Sequence, residues 1–338
     1  MAGGRIGQAL GLLGGLALLA AVHLEGAVRT VAGAPAGVFG VFPAAAPVAN
    51  PGAAGEGNPA PPLRPAGKPR SLTQGTGLDG FPDWSPDGRQ IAFMRDGRIW
   101  LLPAAGGEPR PITGGGRGWD VAPAWSPDGR RIAVVRLDPE EEGPTRVVLV
   151  DPAAGREEEV LSTREPVGYL AWAPHGGAIA YTAGSRLEVL ELESRRARIL
   201  VRVGPEEDLL AGGLAWSPDG QWLLYAVGPR RPGGGRYNLF RVPAAGGTPE
   251  ALTQDGGLMP ALAPDGRRLA YRRPASPAGI VVMDLVTGTS AFWAQDSGGV
   301  RHFHPRWSPD GQRLALSRLS LQGKGGNVHL SSHLVVLQ

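Results

Sequence analysis

Cysteine is absent from all 338 residues of the chain. Its absence excludes disulfides, thiolate metal sites, a cysteine nucleophile and a lipidated N-terminal cysteine, and it fits either side of a membrane. An excess of one charge is also lacking, because 34 basic residues face 31 acidic ones and leave a net charge of +3. Without a basic stripe, no nucleic-acid partner is expected. Aromatic residues make up only 6% of the chain, yet five of its 9 tryptophans recur at a regular spacing.

The main feature of the sequence is a repeated turn. Ser/Ala-Pro-Asp-Gly occurs five times and Ala-Pro-His-Gly once, and the steps between copies are 41 to 47 residues long. This period is typical of a four-stranded propeller blade. Proline and glycine favour a tight turn, and the aspartate can bind the turn backbone. The residue before each copy is Trp84, Trp125, Trp172, Trp216, Leu262 or Trp307, and the turn aspartates are Asp87, Asp128, Asp219, Asp265 and Asp310.

Each repeat continues as a series of short strands. An apolar run follows the turn, a second hairpin comes next, and a polar, proline-containing segment such as 108–113 has the composition of an edge strand. The sequence therefore predicts an all-β fold, a six-bladed propeller of four-stranded blades with tryptophans packed between neighbouring blades. Segment 69–74 is similar to 108–113, whereas the last unit ends after its third strand. We therefore expect 69–74 to pair with 333–337 and close the ring.

The N-terminus has the composition of an export signal. Arg5 precedes an uncharged, mostly apolar stretch over 6–22, which predicts a signal peptide or a single transmembrane anchor within 1–25. The poor cleavage site at 23–26 favours the anchor, and the chain would then contact the membrane through this segment. Residues 26–67 are rich in Pro, Gly and Ala and predict a disordered linker, followed by the propeller at 68–338.

The Trp-Ser-Pro-Asp-Gly turn, together with the Gly-Gly-x-Pro-x-x-Leu/Ile-Thr outer strand, resembles the repeat of TolB-like six-bladed β-propellers, which are WD-repeat-like. The similarity covers residues 68–338. The resemblance implies a propeller closed by an N-terminal strand, an extracytoplasmic location and a role as a binding platform. A protein or peptide of the cell envelope is the partner expected for such a propeller, which is itself expected to be a monomer.

A candidate site follows from aligning the innermost strands. Five residues before the tryptophan position, neighbouring blades carry Asp79, Asp120 and His302, weak candidates for a divalent cation near the axis. The same innermost strands carry further polar and aromatic residues closer to the turns. Ordinary hydrated channel residues are the alternative interpretation, and no other cofactor is expected. The predicted channel-mouth site consists of Asp79, Asp83, Asp120, Tyr169, His302, His304 and Arg306.

The preferred function is a non-catalytic, extracytoplasmic binding scaffold, because no catalytic set is recognisable. Gln295-Asp296-Ser297-Gly298-Gly299 lacks the histidine and aspartate context of a serine protease. The alternative is a small propeller enzyme, a metal-dependent hydrolase or lactonase, with its site at the channel mouth. A third hypothesis is a tethered sensor domain. A buried ion with perturbed carboxylates would favour the enzyme, and an exposed aromatic patch near Trp119, Tyr169 and Phe303 would favour binding.

Overall fold

The computed structural model describes residues 63–338 apart from 66, 76, 115–117, 139–142, 210–212, 231–235 and 325–326. These residues form strands and turns, with no helix among them. The signal or anchor predicted at 1–25 and the linker up to residue 62 lie outside the described residues. Within the part of the chain that is described, no helix has the length and apolar character needed to cross a membrane.

The strands are short and form six antiparallel sheets. In chain order, the single strand β1 (Arg70–Ser71) precedes the first blade, which contains β2 (Asp79–Trp84), β3 (Gln90–Arg95), β4 (Arg98–Pro103) and β5 (Arg110–Pro111). The second blade contains β6 (Trp119–Trp125), β7 (Ile132–Leu137), β8 (Thr145–Val150) and β9 (Glu157–Thr163). The third contains β10 (Val167–Trp172), β11 (Ala178–Ala183), β12 (Arg186–Glu191) and β13 (Arg196–Arg202).

The remaining three blades follow in the same order. The fourth contains β14 (Glu207–Asp208), β15 (Leu214–Trp216), β16 (Trp222–Pro229), β17 (Asn238–Pro243) and β18 (Glu250–Ala251). The fifth contains β19 (Leu258–Leu262), β20 (Arg268–Arg273), β21 (Gly279–Asp284) and β22 (Ser290–Gln295). The sixth contains β23 (Val300–Trp307), β24 (Leu314–Lys324) and β25 (Asn327–Leu337), and β1 completes it as the outer strand.

The six sheets form a closed ring. The innermost strands β2, β6, β10, β15, β19 and β23 each contact the innermost strands of the two neighbouring blades, and β23 contacts β2. The second strands are almost entirely buried, as expected for strands covered on both faces. The predicted six-bladed propeller is confirmed.

The ring is closed by the N-terminal strand, as the sequence predicts. Arg70 lies opposite Val336, Ser71 lies opposite Val335, and the Leu72 amide donates to the Leu334 carbonyl at 2.8 Å. Contacts with the ring begin before residue 68, since the Trp293 indole N–H donates to the Leu63 carbonyl. The outer strand of the sixth blade therefore comes from the opposite end of the chain.

The repeated turn is held by its serine and aspartate. In the first copy the Ser85 hydroxyl donates to Asp87 Oδ1 at 2.6 Å, and that oxygen also accepts from the Arg89 amide at 3.0 Å. The degenerate third copy keeps the same backbone bond, because His175 Nδ1 accepts from the Gly177 amide at 3.1 Å. These contacts explain why a short polar acceptor recurs at this position of the turn.

The tryptophans connect neighbouring blades, as expected from their spacing. The indole N–H of Trp84, Trp172, Trp216 and Trp307 donates at 2.9–3.1 Å to the carbonyl of the residue that precedes the tryptophan position in the preceding blade. Trp125 is the exception, because its indole N–H is buried without a partner. The residue at the corresponding acceptor position is Asp83, whose side chain instead accepts from the Trp125 backbone amide at 2.7 Å.

The fourth blade departs from the predicted four strands. Its innermost strand β15 has three residues, and β14 pairs separately with the end of β16, Asp208 lying opposite Gly228. The Tyr237 hydroxyl holds β14 by donating to Asp208 at 2.6 Å. Gly213 directly precedes β15 and has a left-handed backbone (φ 82°), a conformation that does not extend a strand.

Candidate functional site

The innermost strands share a bulge three residues before the tryptophan position. The register with the second strand shifts between Gly80 and Asp83 in the first blade, and at the matching place in the second, third, fifth and sixth blades. Residues at this position have a left-handed backbone in five blades, which costs a non-glycine residue roughly 1–2 kcal/mol. They are Phe81 (φ 53°), Ala122 (φ 50°), Gly213 (φ 82°), Met259 (φ 57°) and His304 (φ 52°).

Three bulge-level aromatic side chains meet at the centre of the ring. Phe81 stacks on His304 with ring centroids 4.0 Å apart, and Tyr169 lies 5.9 Å from Phe81 and 6.3 Å from His304. Phe81 and Tyr169 belong to the first and third blades, which are not adjacent, so their contact spans the axis. The three rings therefore pack together at this level of the innermost strands.

A small cavity lies against this aromatic cluster. Its free volume is about 10 Å³, on the order of one water molecule, so only a small terminal group of a ligand fits inside. Most of the residues that line it are apolar, and the guanidinium of Arg306 is the charged group. We call it the axial cavity, and it is lined by Phe81, Pro82, Ala122, Pro123, Tyr169, Leu170, Met259, His304 and Arg306.

Asp83 and Arg306 form an ion pair beside the axial cavity. Both precede the tryptophan of their innermost strand, and because the sixth and first blades are neighbours, Arg306 Nε lies 3.6 Å from Asp83 Oδ1. The side chains keep 22% and 24% of their surface exposed. Burial raises the pKa of Asp83 to about 6, although Arg306 and the Trp125 amide act in the opposite direction.

His304 is neutral and incompletely hydrogen-bonded. Burial, with the nearby charges of Arg306 and Arg272, lowers its pKa to about 3. Its Nδ1 lies 3.4 Å from the Ser317 hydroxyl, and its Nε2 is buried without a partner. Burial also raises the pKa of Tyr169, so this phenol stays protonated. Four predicted site residues, Asp83, Tyr169, His304 and Arg306, are therefore brought together.

The three candidate metal ligands are not brought together as predicted. Asp79 accepts from Arg95 at 2.6 and 2.9 Å, and Asp120 accepts from Arg136 at 2.7 and 3.0 Å. Each arginine lies opposite its aspartate on the second strand of the same blade. Among the described residues, no group of three or more His, Cys, Asp or Glu side chains is placed to hold a metal ion. Charge pairing within each blade thus replaces the expected convergence at the axis.

His302, the third candidate, belongs to a buried network that the sequence did not predict. Asp296 Oδ1 lies 3.1 Å from His302 Nδ1, and Arg272, which has no exposed surface, donates to Asp296 Oδ2 at 2.9 Å and to the His302 carbonyl at 2.6 Å. The Arg272 guanidinium also lies 4.3 Å from the centre of the Phe303 ring. The carboxylate of Asp296, which belongs to the 295–299 motif, is therefore paired with Arg272 and His302.

The spacing of the residues in the sequence could have predicted the two Asp–Arg pairs. Asp79 and Arg95 are separated by sixteen residues, and so are Asp120 and Arg136, one pair in each of two successive blades. The exposed aromatic patch that would have favoured binding over catalysis is not formed by Tyr169 and Phe303, which are only 6% and 3% exposed. The rings of Phe81, Tyr169 and His304 instead line the axial cavity.

Known proteins resemble this chain in sequence and in fold. A family model described as the dipeptidyl peptidase IV (DPP IV) N-terminal region matches residues 62–148. An uncharacterized protein of Agrobacterium fabrum is 27% identical over 269 residues, which cover 74% of this chain and 88% of that protein. A putative TolB from Agrobacterium tumefaciens has a TM-score of 0.60 at 20% identity, covering 80% of this chain and 94% of that one.

Two further solved structures share the fold. TolB from Acinetobacter baumannii has a TM-score of 0.55 at 20% identity and covers 77% of this chain, which spans only 63% of that protein. An oligogalacturonate lyase in complex with manganese has a TM-score of 0.55 at 16% identity, covering 79% of this chain and 78% of the lyase. The chain thus has the TolB-like propeller fold, and because proteins of different activity share it, the function must be argued from the site.

Proposed function

We propose that this chain is a non-catalytic, extracytoplasmic binding scaffold that holds a protein or peptide partner of the cell envelope at the axial cavity. The observation that carries the proposal is the composition of this cavity, an apolar and aromatic wall with one charged pair at its side. Binding sites commonly combine an apolar lining with a few placed polar groups that orient the ligand. The extracytoplasmic location rests on Arg5 and the apolar stretch over 6–22.

The pairing of the carboxylates supports a role without catalysis. Asp79 and Asp120 are each engaged by an arginine at short distance, so neither is placed as a general base or as a metal ligand. Among the described residues, no group of three or more His, Cys, Asp or Glu side chains is placed to hold the divalent cation that the enzyme alternative requires. A structurally similar lyase is known in complex with manganese, so the enzyme alternative can be tested by metal analysis. A stoichiometric divalent ion in the purified full-length chain would favour the enzyme.

The proposal is tested by photocrosslinking at the axial cavity. Phe81 lines the cavity, so replacing it by the photoreactive p-benzoylphenylalanine in the full-length chain places the crosslinker at the site. After irradiation of cells that express the variant, we expect one protein adduct of reproducible mass, identified by mass spectrometry.

The matched control is the same replacement at Ile199, a 49% exposed side chain on the outer strand β13 of the third blade. The control should give no such adduct. Adducts at Ile199 alone, or at both positions equally, would contradict a binding site at the axial cavity.

A further inference from the structure

Arg306 is held more weakly than the two arginines that pair with Asp79 and Asp120. Its guanidinium makes contacts of 3.3 Å to the Pro305 carbonyl, 3.4 Å to the Pro260 carbonyl and 3.6 Å to Asp83. In contrast, Arg95 and Arg136 each have two or more bonds between 2.6 and 3.0 Å to carboxylates. Since a guanidinium has five N–H donors in a fixed plane, Arg306 retains capacity for a bidentate acceptor.

A second polar side chain lines the same cavity. His304 is 4% exposed, and its Nε2 has no partner. The neutral tautomer that accepts from the Ser317 hydroxyl at Nδ1 carries its proton on Nε2. A buried N–H without a partner costs on the order of 1–3 kcal/mol, so an acceptor supplied by a ligand would relieve a cost that the free protein bears.

We propose that the axial cavity binds a carboxylate group of the partner polypeptide through Arg306, with His304 as the second donor. The inference rests on the proposed function and specifies the chemical group that is recognised. A carboxylate matches the planar guanidinium in a bidentate geometry. Because the cavity has room for about one water molecule, one carboxylate oxygen enters it while the rest of the group and of the partner stays at its mouth. The group is either an Asp or Glu side chain or a C-terminus.

Asp83 sets a pH dependence for this binding. It is faced by Arg306 from β23 and by the Trp125 amide from β6, while Tyr169 of β10 and His304 of β23 line the adjoining cavity. An incoming carboxylate would repel the Asp83 carboxylate, so binding favours the protonated form of Asp83. With a pKa of about 6 for Asp83, binding should become tighter as the pH falls from 7.5 to 5.5.

The test uses three pools of immobilised random hexapeptides and the full-length chain. One pool has free C-termini and no Asp or Glu, the second is amidated and carries one Glu at a random position, and the third is amidated and contains no acidic residue. We expect at least about tenfold tighter binding to a carboxylate-containing pool than to the third pool. The first two pools distinguish a C-terminal from a side-chain carboxylate.

Two variants assign the effect to the cavity. Arg306→Gln should abolish the difference between pools, whereas Arg110→Gln, which removes the same charge from the exposed outer strand β5, should retain it. Asp83→Asn should keep the preference and remove its pH dependence, and this variant tests the inference if Arg306→Gln does not fold. Equal binding of all pools, or retention of the preference by Arg306→Gln, would overturn the inference. If crosslinking at Phe81 succeeded in that case, the proposed function would stand and only the carboxylate would be rejected.

Discussion

At the residue scale, the repeat departs from its usual sequence at the two charged residues of the site. The residue before the tryptophan position is alanine in four blades, but it is Asp83 in the first blade and Arg306 in the sixth. Where Asp83 stands at the acceptor position, the Trp125 indole lacks the inter-blade bond that four other tryptophans make. Because a buried donor without a partner is unfavourable, the site is formed at some cost to the ring.

Asp83→Asn should change the pH dependence of stability. The folded chain holds the Asp83 proton up to a pH of about 6, whereas the unfolded chain releases it near 3.8, so wild-type stability falls between these values as the pH rises. Asparagine does not titrate and keeps an acceptor for the Trp125 amide. The free energy of unfolding of the variant relative to the wild type should rise by on the order of 2–3 kcal/mol between pH 4 and pH 7 in urea titrations.

Asp87→Asn is the matched control with the opposite sign. The Ser85 hydroxyl and the Arg89 amide lower the pKa of Asp87, so this carboxylate stabilises the folded chain once the pH exceeds the unfolded value. Its removal should lower relative stability as the pH rises. Parallel pH profiles for the two variants would refute the assignment for Asp83.

At the element scale, the bulge in the innermost strands places side chains on the axis. It brings Phe81 and His304 of neighbouring blades into stacking contact and admits Tyr169 from across the channel. At the same level, Gly213 lets the fourth and fifth blades approach closely, because a Cβ there would lie 2.6 Å from the Met259 Cα. The glycine is therefore required by its neighbour as well as by its φ of 82°.

Gly213→Ala should destabilise the propeller by more than its backbone conformation alone explains. The control is Gly176→Ala, since Gly176 has a similar φ of 77° and no atom within 4 Å of an added Cβ. We expect about 1–2 kcal/mol for the control, and a larger loss for Gly213→Ala because the Met259 backbone must shift. Urea unfolding of both variants measures the difference, and equal losses would exclude the proposed clash.

At the scale of the whole molecule, the ring depends on the N-terminal strand β1. Leu72 packs in a buried cluster with Trp84, Leu334 and Val336, so the N-terminal segment contributes to the core between the sixth and first blades. The ring also closes at the turns, where Gly88 of the first blade approaches Pro309 of the sixth. A propeller without this strand would leave the edge of β25 unpaired.

Deleting residues 1–75 should lower the melting temperature sharply, because it removes β1 and Leu72 from the last blade. Deleting only residues 1–62 leaves those contacts in place and serves as the control. Thermal unfolding followed by circular dichroism compares the two. Coincident melting curves for the two deletions would show that the closure does not contribute to stability.

The sequence alone determined the number of blades, the turns, the inter-blade tryptophans and the closing strand. These features repeat or are local, so one copy predicts the next, and the similarity of 69–74 to 108–113 identified the missing strand. Only the tertiary structure decided the site. Asp79 and Asp120 pair with arginines on adjacent strands instead of meeting at the axis, since residues directly opposite on neighbouring strands are within reach of an ion pair. The bulge that gathers Phe81, Tyr169 and His304 depends on strand register, which the spacing of the turns does not specify.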